Sequence, residues 1–119
     1  MKSTMFASHW KKKREDRRRK LQSLAEGVKK DLDGVVKMLV GRYAVKKVVL
    51  YGSLASGRFA EGSDIDIAVE GLDRAQFFEA LASVNRITPP WVDLKPLEGL
   101  DAFFRERVLR EGEVLYEVD

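Results

Sequence analysis

Apolar residues recur at three- and four-residue steps through Leu21, Leu24, Val28, Leu32, Val35 and Leu39, which predicts one long amphipathic helix. Gly41 suits a left-handed C-cap and is the expected end of that helix. The period then changes. Val48 to Tyr51 and Ile65 to Val69 are short β-branched runs of the kind found in buried strands. Asp73 followed by Gln76 resembles a capping box opening a helix through Phe77, Phe78 and Leu81. Thr88-Pro89-Pro90 breaks the chain before a third strand over Trp91 to Leu94. Leu97, Leu100, Phe104 and Val108 lie on one face of a further helix closed by Gly112, and Val114-Leu115-Tyr116 adds an edge strand. The order αβ(turn)βαβαβ predicts an α+β protein: a small mixed sheet with helices packed on one face, preceded by a long helix. No internal repeat interrupts it.

Polar residues at strand positions are the informative exceptions. Asp64 and Asp66 alternate with Ile65, Ile67 and Val69, so the apolar side chains take one face and both carboxylates the other, roughly 6 to 7 Å apart. Carboxylates on a central strand are unfavourable unless paired or bound to a cation. Asp93 repeats the situation inside the third strand. Three converging acids would repel one another, and two magnesium ions about 3.5 to 4 Å apart are the usual remedy in phosphoryl-transfer sites. Gly52 and Ser53 end the strand before, where a turn exposes backbone N–H groups and Ser53 is the expected N-cap of a short helix over Leu54 to Ser56. A triphosphate tail fits such a turn. Ser63 either positions a phosphate or caps the loop. Gly52, Gly57 and Arg58 imitate the spacing of a Walker loop, but Phe59 stands where a magnesium-binding hydroxyl is needed, and the chain returns to strand by residue 64.

Charge divides the chain. Residues 1–47 carry 15 Lys and Arg against 5 Asp and Glu, a balance of +10, whereas residues 48–119 carry 7 against 14, a balance of −7. Lys11-Lys12-Lys13-Arg14 and Arg17-Arg18-Arg19-Lys20 supply most of the basic excess, either as a solvated helix start or as a surface for a polyanion or acidic partner. The absence of cysteine removes disulfides and thiolate metal sites and points to a reducing cytoplasm. No apolar run approaches the roughly 20 residues of a membrane span, and no signal-peptide core is present. The 119 residues are expected to form one domain, residues 1–41 as a basic helical segment and 46–117 as the core.

Gly52-Ser53, then Asp64-Ile65-Asp66, then Asp93 on a later strand resemble the signature of the DNA polymerase β-type nucleotidyltransferase superfamily. Val92-Asp93-Leu94 through Arg110-Glu111-Gly112-Glu113-Val114-Leu115-Tyr116 is similar to its minimal branch, the MNT proteins found beside HEPN-domain partners. The resemblance covers about residues 46 to 117 and implies the polymerase β-like fold. It implies further that Gly52 and Ser53 hold the nucleotide tail, that Asp64 and Asp66 bind two Mg ions, and that Asp93 is the third ligand and candidate base. The substrate would be ATP or another nucleoside triphosphate. Ser56 departs from the branch, which commonly has arginine there; Arg58 can replace that charge.

Larger nucleotidyltransferases bind the acceptor with a second domain, for which this chain has no room, so the acceptor is expected from outside. The resemblance implies a HEPN protein, neutralised by AMP transfer onto a tyrosine. Two other readings remain: a non-catalytic partner-binding module of the same fold, and an RNA-directed enzyme using the basic head, for which only Phe6 and Trp10 precede residue 21 as stacking candidates. His9 reads as a surface residue, Trp91 as core, and Tyr43 and Tyr116 as packing. The long apolar stripe also allows self-association.

Overall fold

In this computed structural model, residues 2–118 are described, with side chains from residue 8 onward; Phe6 as a stacking residue therefore lies outside the described side chains. The long helix α1 spans Lys2–Tyr43. At about 1.5 Å per residue its 42 residues account for most of the molecule's 65 Å long axis. Among its described side chains the buried ones lie in the C-terminal half: Val28, Leu32, Val35 and Leu39 are buried, whereas Leu24 is 36% exposed. The helix does not end at Gly41. It continues to Tyr43, and the left-handed position is taken by Ala44 at φ 55°, after which the Val45 N–H turns back to the Leu39 carbonyl. Buried Tyr43 anchors this end through its hydroxyl, 3.0 Å from Ser83 Oγ.

After α1 come β1 (Lys47–Tyr51), the one-turn helix α2 (Gly52–Ala55) and β2 (Ile65–Glu70). A 3-10 turn (Arg74–Gln76) leads into α3 (Phe77–Val84), followed by β3 (Val92–Pro96), a second 3-10 turn (Leu97–Gly99), α4 (Ala102–Glu111) and β4 (Glu113–Glu117). The strands form one mixed sheet in the order β3-β2-β1-β4; β1 is antiparallel to β2 and β4, and β2 is parallel to β3. Asp73 caps the first 3-10 turn by accepting from the Ala75 N–H, so α3 starts three residues later than a box at Asp73 would place it. The helix read from Leu97 onward is two elements, because Asp101 caps a fresh start at α4 through the Phe104 N–H.

Alternation along β1 decides the layering. Val48 and Leu50 join Ile65, Ile67, Val69, Val92 and Leu94 in the main core beneath α1 and α3, the helix-covered face the sequence predicts. Val49 and Ala68 turn to the opposite face, where Leu97, Val108, Leu100 and Phe104 make a second, smaller core. Helix α4 therefore covers part of the face expected to be bare. The three central residues of β1 are buried whichever way they point, which is why that strand reads as an unbroken apolar run. Gly112 permits the close approach: a Cβ there would meet the Val108 carbonyl, Val49 Cγ1 and the Leu50 carbonyl within 3 Å. Its φ of −80° is ordinary, so space rather than left-handed backbone requires glycine.

Candidate active site

The face carrying α4 also carries the acids. Antiparallel pairing places Tyr51 opposite Asp66, and the parallel pair places Asp66 opposite Asp93, so the three form one row across β1, β2 and β3. Asp66 and Asp93 are half-buried. Burial and the adjacent Asp93 push the Asp66 carboxyl above its ordinary range, Lys95 opposes them, and Asp64 adds a smaller upward push. Asp64 is exposed and stands one residue ahead of β2 rather than within it. Among the described residues no three carboxylate or histidine side chains are gathered tightly enough to hold a cation without rearranging. Instead the Lys95 ammonium is ion-paired with Asp93 Oδ2. That bond raises the Lys95 amine above its ordinary value, against burial, which lowers it.

The Gly-Ser turn adjoins this row. Gly52 adopts φ +75°, and a Cβ on it would overlap the Asp66 carboxylate, so a side chain is excluded by both conformation and space. Helix α2 begins at Gly52, not beyond Ser53, and Ser53 does not cap it with its side chain. The N–H groups of this first turn have no partners within the helix. Leu54 is buried and pins the turn to the main core. Arg58 Nε donates to Ser56 Oγ at 3.1 Å, so the departure at Ser56 holds the neighbouring guanidinium. Gly52, Ser56, Arg58, Phe104, Arg107 and Glu111 line a cleft of about 260 Å³ between the turn and α4. Ser63 is turned into its own loop, where Oγ accepts from the Ala60 N–H, the capping half of its two predicted roles.

Three residues absent from the sequence reading belong here. Lys95 lies two residues beyond Asp93 on β3, so alternation alone would have put it on the acid face. Tyr51 packs edge-on against Phe104, its rings 6.0 Å apart; burial raises its phenol, and the nearby Lys95 charge opposes that rise. Arg107 enters the cleft from α4, and no local signal marks it. Trp91 is 53% exposed rather than core, because β3 starts after it at the rim of the sheet.

The donors fit a hard divalent cation: they are carboxylate oxygens, and the acid row concentrates negative charge that one ammonium only partly balances. In-register strand aspartates thus stand beside the Gly-Ser turn. The chain belongs to the Polymerase beta, Nucleotidyltransferase family, whose model matches residues 34–119. A Methanocaldococcus jannaschii protein provisionally named a protein adenylyltransferase is 29% identical over 69 residues, 58% of this chain and 53% of the relative. The chain thus spans about half the length of that curated relative. A solved structure provisionally described as a minimal nucleotidyltransferase is 27% identical at a TM-score of 0.66, covering 75% of this chain and 93% of that one. A toxin–antitoxin structure with AMP-PNP shares the fold at a TM-score of 0.63, with 24% identity over 72% of this chain and 73% of that one. No helix among the described residues is long and apolar enough to cross a membrane.

Proposed function

We propose that this chain transfers a nucleoside monophosphate, AMP from ATP, to a hydroxyl on a partner protein, releasing pyrophosphate. The observation that carries the reading is the row of Asp66 and Asp93 in register, flanked by the turn at Gly52. Supporting it are the family membership, the adenylyltransferase name of the curated relative and the AMP-PNP bound by the structural relative. The toxin–antitoxin setting of that structure supports a protein partner, and the sequence resemblance to the minimal branch makes that partner a HEPN protein, with this chain as antitoxin.

Each residue has a task. Backbone N–H groups at Gly52 and Ser53 receive the β and γ phosphate oxygens, and Arg58, held by Ser56, adds positive charge at the mouth of the cleft. Asp64, Asp66 and Asp93 would hold two magnesium ions, whose charge would offset that of the phosphates during transfer. Asp93 accepts the acceptor's hydroxyl proton. The tail lies on the β1 side of the row, so an acceptor attacking in line approaches from the β3 edge, where the sheet has no further strand.

Incubation with Mg-ATP and a HEPN-domain protein as candidate partner, followed by intact-mass measurement of that protein, tests the reading. One adenylyl increment or more is expected with wild type, and Asp66→Asn should slow its appearance on the order of 100-fold or more. An unmodified partner that is nevertheless neutralised would favour the contact-only module.

A further inference from the structure

Lys95 carries a charge to which the transfer chemistry assigns no task. It sits on the same face of β3 as Asp93, two residues along the strand, opposite Ala68. Its ammonium is bound to Asp93 Oδ2, and its charge also acts on the Tyr51 phenol. Both Lys95 and Asp93 side chains are 39% exposed. The pair is therefore open to solvent, and the four-carbon stem can swing the ammonium away without unpacking the core.

A dication bound at Asp93 needs the carboxylate that Lys95 now holds. An ammonium and a dication within a few ångströms also repel each other, so the two cannot share that carboxylate without a penalty. Without either, Asp66 and Asp93 would face each other in register with their charges unbalanced. We propose that Lys95 is a built-in counter-ion that neutralises the acid row in the metal-free protein and is displaced from Asp93 when a divalent cation enters. It is a positioning residue: it holds Asp93 in place and sets a threshold for cation binding. This rests on the reading that Asp66 and Asp93 hold the cation.

The test is Mn2+ binding in the absence of nucleotide, followed by the paramagnetic signal of free Mn2+, together with the shift in melting temperature on adding Mn2+. Lys95→Met keeps the stem and removes the charge; Lys95→Gln is the second neutral variant, and circular dichroism verifies the fold of each. Both are expected to bind Mn2+ about tenfold more tightly than wild type, to melt lower without metal, and to gain more from Mn2+. Lys95→Arg should resemble wild type, and in an Asp93→Asn background neutralising Lys95 should no longer tighten binding. A merely structural lysine would lower the melting temperature without altering Mn2+ affinity. Equal affinity in wild type and the neutral variants overturns the counter-ion role while leaving the metal site standing. No Mn2+ binding by any of them overturns both.

Discussion

Asp66 bears the strain of the site at the scale of single residues. Burial and Asp93 raise its carboxyl, so the folded metal-free protein holds the Asp66 proton more tightly than the unfolded chain does. A raised acid favours folding below its unfolded value and loses that contribution as pH climbs through its folded value. Asp66→Asn is therefore expected to melt higher than wild type at pH 7 without metal, with the advantage shrinking as pH falls through the carboxylate range; calorimetry in chelator over that span checks it. The opposite is expected of Gly52→Ala, which forces a Cβ into both the left-handed region and the Asp66 carboxylate: a loss of roughly 1–2 kcal/mol in denaturant unfolding. Trp91→Ala, at an exposed rim position, should change stability by about 0.5 kcal/mol or less. Asp66, Asp93 and Gly52 were legible in the sequence because strand alternation and turn chemistry are local. Trp91 was misread because its burial depends on where β3 begins.

Among the elements, α1 shows what a single stripe can and cannot specify. Its buried half reads correctly from Val28 to Leu39, yet Gly41 suggested an end two residues early, since the tie between Tyr43 and Ser83 joins residues 40 apart in sequence. Ala44 is left in a conformation that is unfavourable for a side chain. Ala44→Gly should consequently raise stability by about 1 kcal/mol in chemical denaturation, the reverse of the usual penalty for glycine inside a helix. Leu39→Ala, in the main core, should lower it by about 2–5 kcal/mol. Helix α4 was recognised through Phe104 and Val108, but its position over the second face was not, because periodicity reveals that a helix has an apolar side and not which surface receives it.

At the scale of the whole molecule, the basic stretch of α1 is solvated: residues 8–20 are exposed apart from half-buried Glu15. Of its basic side chains, Arg19 is paired with Glu15 and Asp16 at 3.9 and 4.0 Å, both exposed and therefore weak. Lys13 lies 5.7 Å from the exposed Trp10 ring. A lone helix without packing is marginal in water, so backbone amides of residues 9–20 should exchange with solvent far faster than those of residues 32–43; hydrogen exchange read by mass spectrometry checks this. Sequence alone determined the element order, the acids that alternate against apolar neighbours, the Gly-Ser turn and the split between a basic head and an acidic body, because each is written in spacing over a few residues. Tertiary structure decided that Asp66 and Asp93 stand in register, that Lys95 closes on Asp93, and that α4 walls the cleft with Arg107. Those facts depend on which strands pair and which face a helix covers, and they join residues too far apart in the chain for any local pattern to record.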